Sequence, residues 1–165
     1  MTQKTKTIFL LRHGKSGWDH PELDDIKREL LPKGIHRTEQ IANYLKDINI
    51  KIDQIYTSPA RRALDTAKII KQLMHLPNLE VVQNLYPGDA EAFFNLIISL
   101  NDQINHVMIV GHNPGITYFA QQFMNAEIDN LPTSGLISCK YFTPSWSEFT
   151  MCDKKLNFVV FPKNL

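Results

Sequence analysis

The chain has 165 residues, 43% hydrophobic and 21% charged, with 18 Lys and Arg against 17 Asp and Glu for a net charge of +1. That length suits one globular domain over residues 1–165 with a substantial core. The charge balance points to neither nucleic acid nor an acidic membrane surface. The two cysteines, Cys139 and Cys152, form no CxxC pair and no zinc-knuckle spacing, so they read as small buried or half-buried thiols.

The first residues are polar, and the apolar run that follows, Ile8 to Leu11, is too short for a signal-peptide core or a transmembrane helix. The expectation is a cytoplasmic protein with no membrane partner. Thr7 to Leu11 is apolar and partly β-branched, which predicts a buried strand. Ile35, Thr38, Ile41, Leu45 and Ile48 recur at spacings of three and four, one helix face starting near Pro32. Asp53 to Thr57 predicts a second strand. Ala60, Ala63, Leu64, Ala67, Ile70 and Leu73 mark a second helix. Leu79 to Val82 is a third strand, and Ala92 to Leu100 a helix with Phe93, Leu96, Ile97 and Leu100 inward. His106 to Val110 is a fourth strand. Pro114 suits the first turn of a helix capped by Asn113 and running through Phe123 or Met124. Phe119, Phe123 and Met124 fall at helical spacing and read as core. Trp18 and Trp146 fall in loops. Two last strands are expected at 135–142 and 156–161. Strands alternating with helices predict an α/β sheet covered on both faces, which binds ligands at the carboxyl ends of its strands.

Three of those ends carry unusual residues. The first strand stops at Arg12-His13-Gly14, the second at Ser58-Pro59-Ala60-Arg61-Arg62, and the fourth at Gly111-His112-Asn113-Pro114-Gly115. If the strands are parallel neighbours, guanidiniums and imidazoles converge on one sheet edge and form a pocket for a compact anion. Arginine forks match phosphate oxygens, helix N-termini add oriented N–H groups, and the glycines permit close backbone approach.

These segments resemble the histidine phosphatase superfamily, whose fold is shared with phosphoglycerate mutases. Leu10-Leu11-Arg12-His13-Gly14 is similar to its opening signature, Ser58 to Ala67 to its S-P-x-x-R-A-x-x-T-A segment, and Val110-Gly111-His112-Asn113 to the segment carrying its second histidine. The alignment selects Arg62 rather than Arg61. The resemblance implies a three-layer α/β sandwich with a mostly parallel central sheet. Within the family, Arg12 to Asp19 followed by Arg28-Glu29-Leu30-Leu31-Pro32-Lys33-Gly34 resembles the SixA-type phosphohistidine phosphatases. His112 follows Arg62 by 50 positions, which leaves little room for a large lid and favours a phosphorylated side chain on a protein over an enclosed metabolite.

The resemblance implies that His13 attacks phosphorus and forms a phosphohistidine intermediate, while Arg12, Arg62 and His112 hold the equatorial oxygens, with no metal and no cofactor. The nucleophile must be neutral, a state favoured by Arg12 and Arg62 nearby, and its second ring nitrogen needs an acceptor. Ser16 either donates to the phosphate or braces the loop. Asp89 is the candidate general acid, with Glu91 beside it; both also suit the first turn of a helix. Asp19, where many members carry Asn, is expected to point away or cap a loop. Lys15 either steers an acidic partner or is simply exposed.

Other chemistries fit less well. A cysteine phosphatase needs an arginine six residues after its cysteine, where this chain has Ser145 and Phe158. There is no Asp-x-Asp pair and no Walker loop. Asp19, His20, Asp24 and Asp25 lack regular ligand spacing and read as a solvated loop. A small-metabolite phosphomonoesterase or mutase of the same superfamily, and a phosphate-binding module without turnover, are the alternatives.

Overall fold

The computed structural model describes residues 2–165. Its elements are β1 (Lys6–Arg12), α1 (Pro32–Asp47), β2 (Gln54–Thr57), α2 (Arg61–Met74), β3 (Leu79–Val81), α3 (Ala90–Ile98), β4 (His106–Gly111), α4 (Gly115–Phe123), β5 (Leu136–Tyr141) and β6 (Lys154–Val160). The sheet order is β3-β2-β4-β1-β5-β6. The first four strands in that order are parallel, and β5 and β6 run antiparallel to their neighbours.

The centre of β1, Ile8 to Leu11, is apolar because both of its faces are covered. Ile8 and Leu10 pack with Phe93, Ile97, Ile116 and Phe119 from α3 and α4. Phe9 and Leu11 pack with Ile41, Leu45, Ala63 and Ile70 from α1 and α2. The chain leaves β1 in one direction through α1, β2, α2 and β3. It returns through α3 to β4 and α4 to β5, so the two helix pairs fall on opposite faces, as right-handed crossovers require. The result is a three-layer α/β sandwich with a mostly parallel sheet. At the far end of β1, the buried Lys6 ammonium donates to Asp102 O, Ile104 O and Asn105 Oδ1, tying the strand's start to the turn before β4.

Register decides where the site falls. Arg12 pairs with Gly111, Leu11 with Val110, and Thr57 with Val110. The carboxyl ends of β1, β4 and β2 therefore finish at one level, and His13, His112 and Ser58 each stand one residue beyond.

Two helix expectations need correction. Ile35 and Ile48 lie on the outer side of α1, 39% and 41% exposed, while Gly34 and Ala42 face inward. Gly34 has no room for a side chain: a β-carbon there would sit 2.3 Å from Lys15 O, so α1 packs its first turn directly on the loop after β1. Asn113 does not cap α4, whose N-cap is Pro114. Its side chain instead accepts from Thr117 Oγ1 at 2.5 Å and donates to Asn130 Oδ1 and Leu131 O, pinning the 130–131 loop. Trp146 is buried in a short helical turn and donates to Ile104 O.

Candidate active site

His13, Arg62 and His112 are almost fully buried, at 7%, 6% and 4% exposure, and Arg12 is half-buried beside them. The imidazole centroids of His13 and His112 are 5.0 Å apart. His13 N–H donates to Gly111 O and Ser58 N–H to Val110 O, so the sheet's ladder carries on into the site residues. The loop after His13 is braced from behind. Gly14 N–H donates to Thr66 Oγ1, which in turn donates to Arg62 O one turn earlier in α2.

The His13 imidazole has a defined proton position. His13 Nδ1 lies 2.8 Å from Gly14 O, a carbonyl that can only accept. The proton is therefore on Nδ1, and Nε2 carries the lone pair. This carbonyl is the acceptor that sequence reasoning required without locating. His112 Nε2 lies 2.7 Å from Ser58 Oγ, which also accepts from Ala60 N–H. The hydroxyl keeps a second lone pair and its own proton, so this contact suits a ring proton on either nitrogen of His112; with the proton on Nδ1, Ser58 donates to Nε2.

Both rings are neutral at ordinary pH. Burial pushes the His13 pKa down to about 3, partly opposed by the Gly14 carbonyl and helped by His112, Arg62 and Arg12. Burial and then Arg62 take His112 to about 4. Desolvation thus outweighs the arginine charges on which the sequence argument rested.

Among the described residues, three buried side-chain nitrogens lack a hydrogen-bond partner: Arg12 Nε, Arg62 Nε and His112 Nδ1. More than nine in ten buried polar groups are normally paired. Here the exceptions fall on the three residues expected to hold phosphate oxygens, and the two guanidinium nitrogens are N–H donors. Other donors of the arginines are committed, Arg12 to Leu131 O and Arg62 to Asp25.

Asp25 is the main departure from expectation. Rather than belonging to a solvated loop, it lies in a 3₁₀ turn, Asp25–Lys27, and clasps the site. Its Oδ2 accepts from Arg62 at 3.0 Å and from Tyr86 Oη at 2.7 Å, its Oδ1 accepts from Arg28 at 2.9 Å, and its main-chain carbonyl accepts from Arg62 at 2.7 Å. Burial raises this carboxyl, but the bonds from Tyr86, Arg28 and Arg62 together hold it well below the usual range. Tyr86 also sets its ring edge toward His112, 5.6 Å between centroids. Arg28 continues the network to Ser16 Oγ at 2.6 Å and Gly17 O at 3.2 Å. Ser16 thus braces Arg28, and Trp18 stacks on that guanidinium at 3.4 Å.

Asp89 is exposed and caps α3, its Oδ1 accepting from Ala92 N–H at 2.9 Å, and its backbone packs against Gly115, three residues beyond His112. Glu91 beside it is exposed. Arg61 is exposed and paired with Glu29 and Asp65, so Arg62 is the arginine in the site. Lys15 and Asp19 are exposed. Among the described residues, no group of three or more His, Cys, Asp or Glu is placed to hold a metal ion, and no helix is long and apolar enough to cross a membrane.

Comparison with known proteins agrees with this geometry. The pattern that defines the histidine phosphatase superfamily (branch 1) matches residues 8–85. The phosphohistidine phosphatase SixA of Escherichia coli (strain K12) is 27% identical over 134 residues, covering 79% of this chain and 82% of that one. A 2,3-bisphosphoglycerate-dependent phosphoglycerate mutase of Bartonella henselae is 38% identical, but over 82 residues, 47% of this chain and 39% of its own. The structure of the protein histidine phosphatase SixA complexed with tungstate superposes with a TM-score of 0.82 at 25% identity, covering 96% of this chain and 98% of that one.

Proposed function

We propose that the chain is a SixA-type phosphatase of the histidine phosphatase superfamily, in which His13 Nε2 attacks the phosphorus of a phosphohistidine carried by a protein. The single observation that carries this reading is the set of three unpartnered buried nitrogens, Arg12 Nε, Arg62 Nε and His112 Nδ1, the last protonated in this proposal, on the residues flanking a neutral His13. The bond from phosphorus to the leaving nitrogen breaks as the bond to Nε2 forms. The equatorial oxygens gather charge against the three N–H donors, which need no reorientation at that moment. Water then attacks the phosphohistidine, and His13 leaves as neutral imidazole with its Nδ1 proton still on the Gly14 carbonyl.

The choice of substrate rests on leaving-group chemistry and on the E. coli relative, which is named for phosphohistidine. From a phosphohistidine protonated on its other ring nitrogen, the leaving group is neutral imidazole, whose conjugate acid has a pKa of about 6.5, so it needs none of the acid an alkoxide demands. Asp89, the candidate acid, caps α3 through Oδ1, and this substrate does not depend on it. In this proposal Ser16 contributes through Arg28. A cytoplasmic location belongs to the same proposal, and the free thiols of Cys139 and Cys152 suit a reducing compartment.

The test compares the protein with its His13→Ala variant in chelator. The substrates are a histidine-phosphorylated carrier protein, phosphoserine peptides and small phosphate esters. We expect phosphohistidine turnover and an acid-labile label on the enzyme, both lost with His13. Turnover confined to small esters would reassign the substrate. Tungstate binding with neither label nor turnover would leave a phosphate-binding module.

A further inference from the structure

Trp18 is one of nine large apolar side chains exposed among the described residues, at 69% exposure. Tryptophan is usually well covered, as Trp146 is here. Trp18 is also held in place. One face of its indole lies on the Arg28 guanidinium, 3.4 Å from the ring centroid. Arg28 is fixed by Ser16 Oγ, Gly17 O and Asp25 Oδ1, and the other oxygen of Asp25 holds Arg62. A largely exposed aromatic ring is thus wired through two residues to the guanidinium that faces the phosphoryl group.

Such a ring is prepared for contact. Its orientation is already set, so an incoming surface need not order it, and rigid aromatic anchors of this kind dominate protein–protein recognition. Since one face is covered by Arg28, the other is left for a partner. A phosphohistidine on a folded protein brings neighbouring side chains that a small phosphate ester lacks.

Resting on the function proposed above, we infer that Trp18 is the anchor against which an apolar patch of the phosphoprotein, beside its phosphohistidine, packs during catalysis. Trp18 is then a specificity residue for protein substrates and takes no part in the chemistry.

The test uses Trp18→Ala and Trp18→Phe, assayed with a histidine-phosphorylated carrier protein and with imidazole phosphate. Truncating an anchor of this kind costs on the order of thirtyfold in binding. We expect Trp18→Ala to lose about that factor in kcat/KM on the carrier, through KM, to stay within about twofold on imidazole phosphate, and to be largely rescued by Phe. Imidazole phosphate turnover also reports that the variants are folded. Equal losses on both substrates would make Trp18 a support for Arg28 and overturn the inference. So would an unchanged rate on the carrier, or a wild-type dimer that Trp18→Ala makes monomeric. If the wild type hydrolyses imidazole phosphate but no phosphoprotein, this inference fails while the phosphatase reading stands; if it hydrolyses neither, that reading fails first.

Discussion

Acidification should destabilise this protein through two residues. His13 and His112 are buried with pKa values of about 3 and about 4, against 6.5 for an unperturbed histidine. Below pH 6.5 the unfolded chain takes up protons at both positions while the native state does not. Stability therefore falls as pH falls, and the loss continues until the native rings begin to protonate near pH 4 and 3. Each histidine contributes about 1.4 kcal/mol per pH unit across that window, so the pair costs about 4 kcal/mol between pH 7 and pH 5. That is a large share of the roughly 5–15 kcal/mol that holds a domain together. Asp25 acts in the same direction only below about pH 4, where unfolded carboxylates begin to protonate. Urea unfolding at pH 7, 6 and 5 in phosphate-free buffers measures the effect. His13→Gln and His112→Gln should each remove about half of the slope, and the double variant nearly all of it. A wild-type stability that is flat from pH 7 to 5, or single variants with the wild-type slope, would refute the claim that these rings are held neutral by burial. The same neutrality keeps about 99% of His13 nucleophilic at pH 5, against about 3% for an ordinary histidine.

The remaining expectations concern groups that hold the site. Asp25→Asn removes the charge that Arg62, Arg28 and Tyr86 share, and charge-assisted bonds are each worth about 1.5–3 kcal/mol, so kcat should fall roughly 10- to 100-fold. A kcat equal to wild type, measured at saturating substrate, would remove Asp25 from the positioning network. Ser58→Ala leaves His112 Nε2 without its hydrogen-bond partner and frees the ring to change tautomer. A loss of about tenfold in kcat/KM is expected, with the tautomer change visible in the nitrogen chemical shifts of His112. An unchanged tautomer would show that something other than Ser58 sets it.

The convergence of the strand ends was legible because each apolar run stops abruptly at a cation or imidazole, and because parallel strands in this topology finish at one level. Arg12, His13, Arg62 and His112 could be placed together on that argument. Asp25 could not. Its partners Arg62 and Tyr86 lie 37 and 61 positions away, and nothing in an isolated Asp-Ile-Lys-Arg stretch distinguishes a clasp from a solvated turn. Asp89 is the helix cap that its sequence neighbourhood also suited, accepting from Ala92 N–H, and its part as the acid stays a proposal. At Asn113 a strong N-cap residue stood next to proline, but its amide serves Thr117 and Leu131. Ile35 followed helical period yet faces outward, because Gly34 takes the inward place against Lys15.

The carboxylate of Asp25 also bears on how a cycle ends. Guanidiniums and imidazole N–H groups that stabilise a transferring phosphoryl group attract inorganic phosphate as well, and a site built from cations alone would be slow to release its own product. Asp25 shares the charge of Arg62 through Oδ2 and that of Arg28 through Oδ1. The arginine stays aimed while the field at the pocket is reduced. In the proposed cycle, this lets the enzyme clear its product and turn over in the presence of free phosphate.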